Sequence, residues 1–283
     1  MKIIECPRDA MQGLHEFIDT DKKISYINQL LDVGFDTLDM GSFVSPSAIP
    51  QMRDTSEVLK GIDLSSTSTK LLTIVGNERG ARQAAQFDEI SYLGFPFSIS
   101  ETFQKRNINS SIEDSFHRAE DILNCCVIHQ KDLVVYISMA FGNPYDDPWN
   151  ADIVLEWAHK LHNELGIDII SLSDTIGVAK PSTIEYLFKT LIPELPSVEF
   201  GAHLHTTPDT WEEKVHAAVN SGCIRFDSAI KGFGGCPMAT DDLTGNMPTE
   251  KLISYFNQKK IDIDLNQEEF QKSFTMTSSI FPI

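Results

Sequence analysis

Apolar and polar positions alternate in blocks along this chain, and the blocks predict strands and helices that take turns. Eight short apolar runs have the length and composition of buried strands, at residues 2–6, 35–41, 70–76, 89–95, 133–141, 168–174, 198–205 and 224–230. The segments between them carry apolar residues at helical spacing. In residues 21–35, for example, Ile24, Ile27 and Leu31 belong to one apolar stripe, and Gly34 ends the predicted helix.

Eight strands alternating with eight helices predict parallel strands joined by helical crossovers. At 283 residues, the architecture that fits best is a (β/α)8 TIM barrel, an α/β fold with a typical length of about 250 residues. A doubly wound open sheet is the alternative, but it usually has a glycine-rich turn after its first strand, where this chain has PRDAMQG. We expect the barrel to span residues 1–262 and a short helical appendage to span residues 263–283.

The charge balance excludes some classes of partner. The chain has 41 acidic and 23 basic residues, which gives a formal net charge of −18. This excess argues against general nucleic-acid binding and against a basic membrane-binding surface. A phosphate-bearing ligand stays compatible, because it needs only a local basic cluster.

The cysteines and the start of the chain indicate an intracellular protein. There are five cysteines, an odd number, and no C-x-x-C pair, at positions 6, 125, 126, 223 and 236. Reduced thiols are the simplest interpretation. A strand begins immediately after Met1 in place of a signal peptide, and no apolar run reaches the roughly 18 residues of a membrane span. We therefore expect a cytoplasmic protein, and we read the adjacent Cys125 and Cys126 as packing residues.

The ends of the predicted strands carry the candidate chemistry, because TIM barrels place their active sites at the C-terminal ends of the strands. His203 and His205 are two apart on the seventh strand, so both rings point to one face. A His-x-His pair also occurs in ordinary sheets. Polar groups at other strand ends favour the metal interpretation, because they are costly to bury without a ligand; they are Arg8, Asp9, Asp39 and Asp174.

These strand-end residues offer a metal ion both oxygen and nitrogen ligands. Asp9, His203 and His205 suit Mg²⁺, Mn²⁺ or Zn²⁺, and the amide oxygen of Asn246 is a fourth candidate. The remaining positions would be open to water or substrate, which favours a catalytic over a structural metal.

For Arg8 and Cys236, the sequence allows either a catalytic or a structural role. Arg8 is suited to stabilise an oxyanion or enolate beside the metal, or it simply pairs with Asp39 or Asp174. Cys236, in the glycine-rich loop GFGGCP, is a candidate proton donor, or it is a buried and unreactive thiol.

The motifs ECPRDAMQG, DTLDMGSFVSP, KRNINSSIEDSF, SLSDTIGV, HLH, IKGFGGCP and TGNMPTE occur in this order. Together they resemble the 3-hydroxy-3-methylglutaryl-CoA (HMG-CoA) lyase family, which is related to the Claisen-type synthases. The resemblance covers roughly residues 2–260.

The resemblance implies a retro-Claisen cleavage of the acyl-CoA into acetyl-CoA and acetoacetate, with a place in leucine degradation. Asp9, His203, His205 and Asn246 would hold Mg²⁺ or Mn²⁺. The metal would bind the tertiary hydroxyl, Arg8 would stabilise the enolate, and Cys236 would help to protonate it. Asp39 and Asp174 would support proton transfer or orient Arg8.

Three features depart from the usual pattern of the family. Asp39 stands where Glu is usual and is shorter by about 1.5 Å. Thr206-Thr207-Pro208-Asp209 stands where the family commonly has an acidic residue followed by T-Y-G, and we interpret Asp209 with Glu212 as a helix-capping box. The interval from GGCP to Asn246 is one residue longer than usual. These departures affect the choice of acyl group more than the reaction type.

CoA itself would need local donors, for which Asn77, Arg79, Lys105 and Arg106 are the candidates. A Claisen synthase or a hydroxy-oxoacid aldolase on the same barrel is the alternative enzyme, and a metal- or CoA-ester-binding relative without activity is the non-enzymatic alternative. The oligomeric state is left open, with a homodimer as one candidate.

Overall fold

The structure is a computed structural model, and it describes residues 1–235 and 244–281. Eight parallel strands close into a barrel, because β1 pairs with β2 and β8, and β6 pairs with both β5 and β7. The strands are β1 (Lys2–Glu5), β2 (Thr37–Ser42), β3 (Lys70–Ile74), β4 (Ile90–Ser98), β5 (Asp132–Ser138), β6 (Ile169–Asp174), β7 (Glu199–Thr206) and β8 (Arg225–Ser228). Closure confirms the predicted (β/α)8 barrel and excludes the open sheet. A short strand, β9 (Gly245–Asn246), pairs antiparallel with β7.

Helices cover the outer face of the barrel. They are α1 (Pro7–Gln12), α2 (Thr20–Leu31), α3 (Thr55–Gly61), α4 (Glu78–Ala84), α5 (Glu101–Ile108), α6 (Ile112–Ile128), α7 (Ala151–Asn163), α8 (Pro181–Glu194), α9 (Trp211–Asn220), α10 (Thr249–Gln258) and α11 (Gln267–Ile280). None of those described is long and apolar enough to cross a membrane.

The helices place two of the sequence segments and correct one prediction. The segment PRDAMQG forms helix α1 directly after β1, and the segment with Lys105 lies in helix α5. Helix α9 begins at Trp211, with Thr210 at its N-cap and Asp209 exposed outside it. The predicted capping box of Asp209 and Glu212 is therefore wrong, because the helix starts one residue too late for it.

The strands bury two different faces. Residues such as Phe95, Ile137 and Leu172 point outward and join the large core beneath the helices. The alternate residues point into the barrel, where Leu72, Val134 and others form a small separate cluster. Cys125 and Cys126 are buried within α6, as the packing interpretation predicted.

Glu5 connects β1 to the segment that follows β8 through hydrogen bonds. It is buried, and its carboxylate accepts hydrogen bonds from the backbone N–H of Ile230 at 2.9 Å and from the Thr249 hydroxyl at 2.6 Å. Burial raises the pKa of Glu5 to about 8. The folded protein therefore keeps a proton on Glu5 that the unfolded chain releases at lower pH.

We expect this group to reduce the stability of the fold as the pH rises from about 5 to 8. An ionised Glu5 is disfavoured inside the protein, and the loss would be on the order of 4 kcal/mol. In the variant Glu5→Gln, urea unfolding should depend less steeply on pH than in the wild type. The exposed Glu213→Gln serves as a control, and equal pH profiles for wild type and Glu5→Gln would contradict the assignment.

Candidate active site

The candidate residues converge at the C-terminal rim of the barrel. Helix α1 starts at Pro7, and proline suits the first position of a helix because the N–H it lacks would have no partner there. The helix therefore begins almost directly after β1, and Arg8 and Asp9 lie in its first turn. His203 and His205 lie on β7, and β9 places Asn246 opposite His205. Residues from both ends of the chain thus meet at one rim.

Asp9, His203 and His205 form a compact group. One ligand atom from each lies within 4.8 Å of the others. The Asn246 amide joins them, since its Nδ2 donates to Asp9 Oδ2 at 2.6 Å and to the backbone carbonyl of Phe233 at 2.8 Å. The four predicted metal ligands are therefore neighbours.

Each imidazole is held through its Nδ1 atom. His203 Nδ1 lies 3.0 Å from Asp227 Oδ2, and His205 Nδ1 lies 2.8 Å from the backbone carbonyl of Thr175. Because both partners are acceptors, Nδ1 is the protonated nitrogen and Nε2 keeps its lone pair. In the described part of the chain, His205 Nε2 is buried and has no hydrogen-bond partner.

The local charges suit metal ligation. Burial alone would raise the pKa of Asp9, but Arg8 and the two histidines outweigh it and lower the pKa to about 2. Burial and the neighbouring His203 lower the pKa of His205 to about 4. Asp9 is thus an anion and His205 a neutral imidazole at neutral pH, which are the ligand forms that a divalent cation needs. For His203, burial is outweighed by the hydrogen bond to Asp227 and the pKa is raised, so a cation bound there would compete with a proton. Asp9 and His205 are the members of the set whose charge states fit such an ion best.

Arg8 lies between two carboxylates. Its Nε is 3.0 Å from Asp39 Oδ2, its Nη2 also donates to Asp39, and its Nη1 donates to Asp9 Oδ1 at 2.9 Å. Nη1 further donates to Gln12 at 2.9 Å. Burial raises the pKa of Asp39 to about 6 against the opposing effect of Arg8. Asp39 therefore orients Arg8.

Asp174 does not belong to this cluster. Its Oδ2 accepts from Lys214 Nζ at 2.6 Å and its Oδ1 accepts from the backbone N–H of Ala179 at 3.0 Å. The prediction that Asp174 orients Arg8 is wrong, because the carboxylate at the end of β6 turns towards helix α9 instead.

A cavity of about 310 Å³ opens above the cluster. Its lining includes Arg8, Asp9 and both histidines together with apolar residues such as Val44, Ile49, Ile74, Pro96, Phe103 and Ile108. A cavity that combines a few polar groups with an apolar lining is typical of a small-molecule site.

The four CoA candidates lie in different surroundings. Arg106 lines the cavity and its guanidinium lies 4.8 Å from the Tyr145 ring centroid. Lys105 is exposed and pairs with Glu101 at 3.0 Å, Asn77 caps helix α4 through the N–H of Gly80, and Arg79 is exposed. Arg106 is the one of the four that lines the described cavity, and the roles of all four towards CoA stay predictions.

Cys236 lies outside the described residues, but the glycines before it are described. Gly234 has φ +86, and a Cβ there would approach the backbone oxygen of Asp9 to 2.6 Å. Glycine is required at this position because the loop passes directly against the site.

Asp227 and Lys214 contact the site residues but were not predicted from the sequence. Asp227 lies on the predicted eighth strand, two residues after Arg225 on the same face, so the alternation of that strand contained the signal. Lys214 gave no such signal, because a lysine in a helix usually lies in solvent. Cys6 also lies close, within 4.8 Å of ligand atoms of His203 and Asp227.

A closed (β/α)8 barrel with candidate metal ligands at its C-terminal rim defines the class of the protein, a TIM-barrel protein with a candidate metal-dependent site. The chain belongs to the HMGL-like family, whose model matches residues 2–276. The hydroxymethylglutaryl-CoA lyase of Bacillus subtilis is 33% identical over 263 residues, which cover 93% of this chain and 87% of the relative.

Solved structures agree with this assignment. A crystal structure of the Bacillus subtilis HMG-CoA lyase superimposes with a TM-score of 0.91 at 31% identity, covering 98% of this chain and 92% of that one. An HMG-CoA lyase from Acinetobacter baumannii, in complex with coenzyme A and 3-methylmalate, gives a TM-score of 0.90 at 29% identity, covering 99% and 90%. These matches confirm the predicted family and the enzyme class, a carbon–carbon lyase.

Asp227 offers a test of how the metal ligands are oriented. In the variant Asp227→Ala, His203 loses the acceptor that fixes its ring, and we expect Mn²⁺ to bind about 10- to 100-fold more weakly, as measured by calorimetry. Asp168→Ala is the matched control, because Asp168 lies 3.3 Å from His162 Nδ1 and has a largely exposed side chain. Equal Mn²⁺ affinity in Asp227→Ala and wild type would refute the orienting role.

Proposed function

We propose that the protein cleaves 3-hydroxy-3-methylglutaryl-CoA to acetyl-CoA and acetoacetate, with Mg²⁺ or Mn²⁺ bound by Asp9, His203, His205 and Asn246. The observation that carries the proposal is the placement of Asp9, His203 and His205 beside Arg8 in the cavity, with Asn246 hydrogen-bonded to Asp9, in a barrel whose relatives are named HMG-CoA lyases. The metal, the substrate, a cytoplasmic location and a place in leucine degradation all belong to this proposal.

The reaction breaks the bond between C2 and C3 of the acyl group. The C3 hydroxyl loses its proton and becomes the ketone of acetoacetate, while the bonding electrons move to the enolate of the acetyl thioester, which then takes up a proton at C2. Negative charge therefore develops first on the hydroxyl oxygen and then on the thioester oxygen. The bound metal would supply the Lewis acidity that lowers the pKa of the C3 hydroxyl.

Arg8 supplies the second positive group. Asp39 holds its guanidinium in a fixed orientation, and one N–H of Nη2 makes none of the hydrogen bonds found among the described residues. A fixed donor that is already oriented before the reaction can stabilise an enolate oxygen without reorganisation. Cys236 would return the proton to C2, as the resemblance implies, and Arg106 at the cavity would contact the CoA moiety.

The decisive experiment is a cleavage assay with HMG-CoA and Mg²⁺ on the purified chain. We expect acetoacetate and acetyl-CoA in equal amounts, loss of the activity with a chelator, and recovery when metal is returned. His203→Ala should lower kcat by at least about 10²-fold without unfolding the protein, as judged by circular dichroism. His216→Ala, on the outer helix α9 with Tyr255 as its partner, is the matched control.

Other results would redirect the assignment. Condensation of acetyl-CoA with a 2-oxoacid would identify a synthase, and aldol cleavage of a hydroxy-oxoacid would identify an aldolase. Metal binding without any of these activities would identify a non-catalytic relative. Wild-type rates in His203→Ala would refute the metal assignment.

Arg8→Lys separates stabilisation of charge from binding of the metal. A lysine keeps the positive charge but cannot contact Asp39 and Asp9 through a planar fork. We expect kcat to fall about 10²- to 10³-fold with little change in the dissociation constant of Mn²⁺. A drop in Mn²⁺ affinity that accounts for the whole loss of activity would contradict a direct role for Arg8.

A further inference from the structure

Lys214 is a buried cation on helix α9 that reaches back to the rim of the barrel. Its side chain is only 1% exposed. The ammonium donates to Asp174 Oδ2 at 2.6 Å, to the backbone carbonyl of His205 at 2.8 Å and to the backbone carbonyl of Gly177 at 2.9 Å. Its three N–H groups thus join the end of β6, the loop after it and the end of β7.

Asp174 continues this connection into the loop after β6. Its second oxygen accepts from the N–H of Ala179, so the carboxylate closes the loop 174–179 on itself. Thr175 lies in that loop, and its backbone carbonyl is the acceptor for His205 Nδ1. Lys214 therefore contacts the backbone of His205 directly and, through Asp174 and Gly177, the loop whose Thr175 carbonyl accepts from the His205 ring.

A buried ion pair is not the simplest way to stabilise two adjacent strands. Taking both charges out of water is costly, and apolar residues of similar volume often stabilise a fold as well or better. An ammonium does something that an apolar side chain cannot, because it fixes three oxygen atoms from separate segments in one arrangement. Such a constraint is useful where the placement of an atom matters more than stability.

We propose that Lys214 and Asp174 are positioning residues, which hold the loop 174–179 against β7 and so keep the His205 ring, through its Nδ1 contact with Thr175, beside Asp9 and His203. In this arrangement Asp174 does not exchange a proton with the substrate. The inference rests on the proposed metal site where it is tested by Mn²⁺ binding. A second test uses the metal-free protein and does not depend on that site.

The chain contains a matched control. Lys23 is also buried, with a side chain 4% exposed, and its ammonium binds Asp54 at 2.7 Å and the backbone carbonyl of Gln51. This pair joins helix α2 to the segment before α3, and it shares no described hydrogen bond with the metal-ligand candidates. Lys214→Met and Lys23→Met therefore both remove a buried ammonium, but only the first removes the connection to His205.

The test measures Mn²⁺ binding to the full chain by calorimetry. We expect the dissociation constant to rise at least tenfold in Lys214→Met and to stay within twofold of wild type in Lys23→Met. Where Lys214→Met does not fold, the double variant Lys214→Met with Asp174→Asn removes both charges, and Lys23→Met with Asp54→Asn is its control. Wild-type affinity in the Lys214 variants, or an equal loss in the Lys23 variants, would overturn the proposal.

A second measurement does not depend on metal. In the metal-free wild type, ¹⁵N NMR of labelled histidines should show the His205 ring protonated at Nδ1, with its signals assigned by comparison with His205→Asn. In the Lys214 variants, the ring should populate both tautomers, whereas in the Lys23 variants it should not change. If the wild type does not bind Mn²⁺ but the Lys214 variants still change the His205 tautomer, the metal site is refuted and the positioning role stands. If the Lys214 variants leave the tautomer unchanged, the positioning role is refuted.

Discussion

The site depends on the Asp9 carboxylate, where the two ends of the chain meet. One of its oxygens accepts from Arg8 at 2.9 Å and from Gln12 at 2.6 Å, and the other accepts from Asn246 at 2.6 Å. Asn246 lies far along the sequence, and it reaches Asp9 because β8 pairs with β1 in the closed barrel and β9 pairs with β7. Assembly of the site therefore requires closure of the sheet.

The hydrogen bonds at the rim hold both imidazoles by their Nδ1 atoms. Arg8 and Gln12 approach Asp9 from its own helix, Asp227 and Thr175 contact the Nδ1 atoms of His203 and His205, and His205 Nε2 has no hydrogen-bond partner among the described residues. Each fixed ring has lost rotational freedom before any ligand binds. Ligands that are already ordered lose little entropy on metal binding, and they favour one coordination geometry over others.

Much of this arrangement was predictable from the sequence. Alternating strands and helices at this length indicated the barrel, and the rule that strand ends form the site indicated Asp9, His203 and His205. The connections that hold these residues in place were harder to predict, because they involve lateral packing between elements that are not adjacent in the sequence. Asp174 shows the difference: its place on β6 was predicted, but the direction of its carboxylate depends on Lys214 of helix α9.

The segment after the barrel also bears on the site. Phe281, just beyond helix α11, stacks on Phe233 with ring centroids 4.6 Å apart, and it meets Tyr26 of helix α2 edge to face. The backbone carbonyl of Phe233 in turn accepts from the Asn246 amide that contacts Asp9. Movement of either ring is disfavoured, because it would expose apolar surface to water. Through Phe233, the predicted C-terminal appendage thus contacts the backbone carbonyl that accepts from the Asn246 amide.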